Sequence, residues 1–410
     1  MKPDVLAQGV YRVHAQIGTR DLFEGIWPLP NGVLLNSYIV KGTQKTALID
    51  LVKDWEGAVH EITTQINALG IQINQIDYLI LNHMEPDHTG SLADLKRKYP
   101  NLEILCTKKA VPMVKAFYDI EANVRAVSSG DTLDLGGHVL RFEETPNIHW
   151  PETMMTYDMN TGILFSCDAF GSFGRYEHCF DDELDEKEWD LLIGETVRYY
   201  ANIVSSFSQF VKRGISKLAS LDIKMVAPSH GIVWRKNPSQ VITLYNDLAS
   251  YMDGPAKKEI TLVYSSMYGN TAALVPTIVK TLEKEGITLH VHEVPRDHAS
   301  FVLASAWQSS GLIIGMPTYE YKMFPPMYHI LDIFERSHVK NRKVFRFGSF
   351  GWSGGAQKQF DPFVQALGWE CLGVVEYQGA PKEDDYKRIE QLSAQMASSI
   401  MQWCSEEEHN

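Results

Sequence analysis

His83-Met84-Glu85-Pro86-Asp87-His88 sets two imidazoles and two carboxylates within six residues. Near neutral pH the carboxylates are anionic oxygen donors, and the imidazoles are available as neutral nitrogen donors. The stretch follows Tyr78-Leu79-Ile80-Leu81, an apolar run that reads as a strand, and a strand end can aim such side chains at one point. Packing has no use for so many ionisable groups, because each is costly to bury unpaired. Three further donors stand in similar settings: His149 in Asn147-Ile148-His149-Trp150-Pro151, Asp168 in Ser166-Cys167-Asp168-Ala169-Phe170 and His230 in Pro228-Ser229-His230-Gly231. Asp168 and His230 also follow apolar runs. Four histidines and three carboxylates are too many for one tetrahedral zinc, but they suit two cations sharing a carboxylate. The other ten histidines lack this context and are expected to be structural or solvated; among them His178, a few residues past Asp168, is the one to watch.

A second chemistry is written after the strand-like run Ile260–Tyr264. Ser265-Ser266-Met267-Tyr268-Gly269-Asn270-Thr271 is a small, hydroxyl-rich loop leading into a helix. Backbone N–H groups and hydroxyls in such a loop converge on a phosphate, and the helix dipole adds favourable potential. No G-x-x-x-x-G-K-[ST] and no G-x-G-x-x-G occurs there, which disfavours a nucleoside triphosphate or a nicotinamide dinucleotide. Two later loops fall at the carboxyl ends of predicted strands: Met316-Pro317-Thr318-Tyr319-Glu320 and Ser349-Phe350-Gly351-Trp352-Ser353-Gly354-Gly355. Tyr319 and Trp352 are candidates to flank an aromatic ring, and the glycines let backbone N–H groups reach its polar edge.

The elements that must position these groups differ between the two halves. To about residue 250, strand-like runs such as Val33–Val40, Thr46–Asp50, Leu102–Cys106, His138–Glu143, Met154–Tyr157 and Ile163–Cys167 mix with a few helices, among them Trp55–Leu69. A two-sheet sandwich flanked by helices fits that mix. Asp253-Gly254-Pro255 ends a helix predicted at Leu244–Met252, so the domains are expected to be 1–253 and 254–410. Beyond it strands and helices alternate regularly, as a parallel sheet covered on both faces requires. Pro276 falls inside the helix predicted at Ala272–Glu285 and is expected to kink it.

Composition narrows the field. At 410 residues the chain can bury two or three cores, and a net charge of −13 argues against a nucleic-acid surface. No apolar run is long enough to span a bilayer, and the first residues lack a signal-peptide layout. Five scattered cysteines without a C-x-x-C pair suit a reducing cytoplasm, and they provide no iron–sulfur centre.

The order His-x-Glu-x-Asp-His, then His, Asp and His, resembles the metallo-β-lactamase superfamily, where the second position is usually histidine and the metals are usually hydrolytic zincs. Glu85 replaces that histidine with a hard anionic oxygen, which favours iron or manganese. This variant resembles the flavodiiron proteins of A-type arrangement, over the whole chain. The resemblance implies a metallo-β-lactamase-like αββα sandwich fused to a flavodoxin-like doubly wound sheet. It implies one iron on His83, Glu85 and His149, the other on Asp87, His88 and His230, and Asp168 between them. The Ser265–Thr271 loop is similar to the FMN phosphate loop of flavodoxins, with Tyr268 in place of a threonine. FMN would then pass electrons to a diiron site that reduces dioxygen to water, nitric oxide to nitrous oxide, or both. A head-to-tail homodimer, or a dimer of dimers, is implied, as is an external donor such as rubredoxin, a flavin reductase or a reduced deazaflavin. Tyr199 and Tyr200 are candidates for the pocket wall, with core packing the equal alternative. The segment Asp21–Pro28 departs from the family's usual Asp-Trp…His-Gly loop. The alternative reading is a dizinc hydrolase carrying a flavodoxin-like regulatory or electron-carrier domain.

Overall fold

Alternating apolar residues draw Val10–Ile17 and Val33–Lys41 into an antiparallel pair whose register runs from Val10 opposite Val40 to Ile17 opposite Val33. In the computed structural model, which describes residues 1–18 and 21–407, this pair lies within a seven-stranded sheet. The tail residues Glu408 and His409 lie outside the described residues. The sheet continues through Thr46–Ile49, Tyr78–Ile80, Glu103–Thr107 and Val124–Val127. A five-stranded sheet, Thr132–Asp134, Val139–Glu144, Met154–Asp158, Ile163–Cys167 and Met225–Pro228, faces it. Val40, Ile49, Ile80 and Leu105 of the first sheet share one core with Phe142, Met154, Phe165 and Ala227 of the second. Helices Ala58–Ala68 and Ala110–Tyr118 pack on the larger sheet.

The second half forms a parallel sheet in the order Thr288–Glu293, Lys257–Tyr264, Ser309–Gly315, Lys343–Phe350, Glu370–Gln378. Counted along the chain this is 2-1-3-4-5, the flavodoxin order. Ile313, Phe345 and Val375 meet Leu282, Met396 and Ile400 from helices Val275–Lys284 and Glu383–Glu407. Pro276 does not kink its helix: it stands in the first turn, after a short 3-10 segment Ala272–Leu274, where a missing N–H costs nothing. The helix predicted at Leu244–Met252 starts earlier, at Pro238, and runs to Ser250. The chain divides into two compact units, Met1–Asn246 and Asp247–Asn410. Among the described residues no helix is long and apolar enough to cross a membrane.

Candidate functional site

Four segments of the first unit deliver the seven predicted donors to one place. Ile80 ends its strand, and Pro86 then begins a single helical turn, Pro86–Thr89, with the fixed φ that suits that position. The turn separates Asp87 and His88 from His83 and Glu85. Asn82 locks the loop between the sheets: its backbone N–H donates to Asp50 Oδ1 at 2.7 Å, and its side-chain oxygen accepts from Thr156 at 2.8 Å. Asp168 follows Cys167, a non-glycine residue at φ 55°, where the strand register shifts. His230 follows Met225–Pro228, and the Asn36 amide braces its turn by donating to the carbonyls of Pro228 and Gly231. His149 comes from the loop joining two strands of the smaller sheet.

The donors sort into two sets. Glu85 Oε2 lies 3.4 Å from His83 Nε2 and 2.9 Å from His149 Nε2, and Asp168 Oδ2 lies 3.5 Å from each of those nitrogens. Asp87 Oδ2 lies 3.5 Å from His88 Nε2 and 3.2 Å from His230 Nε2, and Asp168 Oδ1 lies 3.0 and 3.2 Å from the same two. Asp168 thus turns one oxygen to each set. In three of the histidines the other ring nitrogen meets protein: His83 Nδ1 meets Glu152 at 2.7 Å, His230 Nδ1 the Leu34 carbonyl at 3.0 Å and His88 Nδ1 the Cys167 sulfur at 3.9 Å. Such contacts fix the tautomer that leaves Nε2 free to ligate.

These groups fit a pair of cations. Both Asp87 oxygens, Asp168 Oδ2 and His230 Nε2 are buried without a hydrogen-bond partner, an arrangement that protein alone does not stabilise. Burial by itself would push His149 down, yet the facing Asp168 and Glu85 carboxylates carry it up to about 10; His230, facing Asp168 and Asp87, rises likewise to about 9. Burial opposes the Glu85 carboxylate, but His149 and His83 hold it down to about 2. The cluster calls for positive charge. The second position holding a carboxylate (Glu85) makes the donor set richer in hard oxygen than a zinc hydrolase's.

Residues not foreseen complete the site. Glu152 supports His83 and also accepts the Met84 N–H at 3.0 Å. A cavity of about 560 Å³ opens onto Glu85 and Asp87 between Asp21, Phe23, Glu24 and Trp55. The Trp27 indole N–H donates to Glu24 at 3.0 Å. Glu24 keeps solvent contact at the cavity mouth, but the protein crowding its carboxyl, then repulsion from Glu85, push it up to about 7. Tyr199 and Tyr200 part company. The Tyr199 hydroxyl donates to Asp168 Oδ1 at 2.9 Å, whereas Tyr200 shares a hydrogen bond with Ser208 and packs edge-on against Tyr245. A π-helical stretch, Tyr200–Val204, begins at that point. Phe23, Phe173 and Tyr199 form an aromatic wall, two of them beside His230. His178 is exposed and stands outside the cluster.

In the second unit the three predicted loops meet at the carboxyl ends of the strands. Thr271 Oγ1 lies 3.3 Å from Ser349 Oγ, the Ala356 N–H donates to Thr318 at 3.4 Å, and the Trp352 indole N–H donates to Tyr321 at 3.2 Å. Among the described residues, the backbone N–H groups of Met267, Tyr268, Asn270 and Thr271 have no protein acceptor, as an anion cradle requires. The N–H groups of Trp352, Ser353 and Gly354 are equally open. Tyr268 and Trp352 are 92% and 70% exposed, large apolar surfaces left uncovered beside those open donors. Ser266 Oγ caps its own loop by accepting the Gly269 N–H, while Ser265 donates to the Val294 carbonyl and so turns away from the cradle. Pro317, Tyr319, Phe350 and Gly351 lie along the rim of the same loops.

Comparison with known proteins agrees with both halves. Residues 33–231 match the family model described as ODP family beta lactamase, and residues 262–391 match the flavodoxin family. The chain is 34% identical, over 86% of its length, to the anaerobic nitric oxide reductase flavorubredoxin of Escherichia coli O1:K1, and covers 73% of that protein. It is 35% identical to the flavorubredoxin of Pectobacterium atrosepticum over 83% of its length, but spans only 66% of that relative. A variant of the flavo di-iron protein of Thermotoga maritima superposes with a TM-score of 0.87 at 27% identity, covering 98% of this chain and 100% of that one. The rubredoxin oxygen:oxidoreductase of Desulfovibrio gigas shares the fold, with a TM-score of 0.91 at 24% identity over 98% of this chain and 100% of that one. With two donor sets around one carboxylate in the first unit and a flavodoxin sheet in the second, the chain belongs to the flavodiiron protein family.

Proposed function

We propose that the protein is an oxidoreductase in which FMN feeds a pair of non-haem irons that reduce dioxygen, nitric oxide or both. The observation that carries this reading is Asp168, whose two oxygens face two separate ligand sets. His83, Glu85 and His149 would hold one iron, Asp87, His88 and His230 the other, with Asp168 placed to serve both. FMN is held by the Ser266–Thr271 cradle for its phosphate, with Pro317–Tyr319 and Ser349–Gly354 around the ring. When bound, the irons and FMN supply electrons, four for one dioxygen to two waters or two for joining two nitric oxide molecules into nitrous oxide and water.

The chain's own residues supply protons and a dry pocket. The Tyr199 hydroxyl reaches the shared carboxylate, and burial pushes up the Glu24 carboxyl at the cavity mouth, where it is placed to hold a proton. Phe23 packs edge-on against His230 with Phe173 behind it, so apolar rings cover that side of the site. The 410 residues hold no C-x-x-C pair, so reducing equivalents enter from a donor outside them, such as rubredoxin or a flavin reductase. We place the protein in the cytoplasm, working as a head-to-tail homodimer. Turnover per chain that stays constant on dilution to monomers argues against that assembly.

The test is anaerobic reduction of the loaded protein, then stopped-flow mixing with each gas while flavin reoxidation is followed. Rapid reoxidation is expected with at least one gas, and Asp168→Ala should slow it more than about 100-fold. Two bound zincs with ester hydrolysis, or an Asp168→Ala protein of undiminished rate, would overturn the reading.

A further inference from the structure

Beneath the loops that receive the flavin lies a buried charge the reaction does not use. Arg346 sits in the strand Lys343–Phe350 between Ile314 and Val374 on the neighbouring strands, and it is fully buried. Its Nη1 donates to Glu376 Oε2 at 2.7 Å and to Gln357 Oε1 at 3.1 Å, while Nε and Nη2 have no partner. Packing does not explain this choice, since an apolar side chain of similar volume usually serves a sheet interior at least as well as an ion pair. Position does offer an explanation. Glu376 pairs across the sheet with Gly348, the residue before Ser349, and its Oε1 touches the place where a side chain on Gly354 would stand. The carboxylate therefore backs directly onto the loop Ser349–Gly355, with the guanidinium behind it.

We propose that the Arg346–Glu376 pair sets the reduction potential of the bound FMN. The inference rests on the FMN reading above. A flavin gains negative charge at the pyrimidine end of its ring on reduction. A carboxylate next to the ring loop opposes that gain, and a guanidinium one step deeper favours it. Arg346 is fully buried and Glu376 is three-quarters covered, so both effects reach across several ångströms with less screening by salt than at an open surface. The pair balances the two, and the nearer carboxylate holds the potential down.

The experiment is an anaerobic redox titration of the FMN in the full, metal-loaded protein, together with the dissociation constant of oxidised FMN. Glu376→Gln keeps the size and a hydrogen-bond acceptor for Arg346 but removes the negative charge. It should raise the potential, strengthening binding of reduced over oxidised FMN roughly tenfold, about 30 mV for a two-electron couple. Arg346→Met, similar in volume, should move the potential the opposite way. Should Arg346→Met fail to fold, the sign in Glu376→Gln alone decides. An unshifted couple in Glu376→Gln with FMN bound, or shifts of the same sign in both variants, overturns the inference and leaves the FMN reading standing. A protein that binds no FMN in any form removes both.

Discussion

Asp168 can do what no imidazole in the cluster can, because a carboxylate offers two oxygens that point apart. Each of its oxygens lies within about 3.5 Å of two histidine nitrogens from one set only. Glu152 acts one step further out: it accepts from His83 Nδ1 and from the Met84 N–H, fixing both the ring and the loop that carries it. Glu152→Ala should therefore weaken iron at the His83 position by roughly 10- to 100-fold while the other position keeps its metal. Iron stoichiometry under chelator competition checks this; two irons lost together, or neither, would contradict it. The clustering of the seven side chains was legible in the sequence because ionisable residues just beyond strands have no role in packing. Glu152 was not, since a glutamate three residues past His149 looks like any loop carboxylate until its partner is placed. Nor could Tyr199 be told from Tyr200. The widened turn beginning at Tyr200 decides which ring faces Asp168, and that turn leaves no mark in residue type.

Burial made strands legible and hid a helix. Ser309–Gly315 is buried along its whole length and reads as a strand directly, as parallel strands covered on both faces do. The helix Ala299–Gln308 escaped notice because apolar residues surround it, with Ala299, Val302, Leu303, Ala306 and Trp307 all buried, so no polar face marks its period. Its capping by the His298 side chain, which accepts the Ser300 N–H, is also unusual for a helix start. Pro276 misled in the other direction: read mid-helix it predicts a kink, but the 3-10 segment ahead of it moves the helix start to meet it. Functional loops followed from their strands. Asp168 and His230 follow strands directly, His83 to His88 lie in the loop and helical turn after another, and the three candidate flavin loops begin where parallel strands stop, so placing the strands placed most of the candidate sites.

At the scale of the whole molecule, each unit holds its own core and its own chemistry, and the two should respond differently to loss of metal. All seven proposed metal donors lie in Met1–Asn246. Stripped of cations, that unit must neutralise its buried carboxylates with protons on imidazoles. His149, carried up to about 10, and His230, up to about 9, both stand above the ordinary 6.5. A raised folded value stabilises fully below 6.5, and that stabilisation is lost as pH climbs through 9 to 10. Glu85, held down to about 2 from 4.5, works in the opposite sense: its contribution is present above 4.5 and lost as pH falls through 2. The metal-free first unit should thus be most stable between about pH 4.5 and 6.5, and its melting temperature should fall steadily toward pH 10. Bound cations take the place of those protons, so the loaded protein should melt higher and lose much less over the same alkaline range. Calorimetry of loaded and chelated protein at pH 6 and pH 9.5 compares the two slopes. Equal slopes would mean that the imidazoles are not the groups that balance the carboxylates, whereas a transition of the flavodoxin unit unmoved by chelation would assign the metal-dependent stability to the first unit.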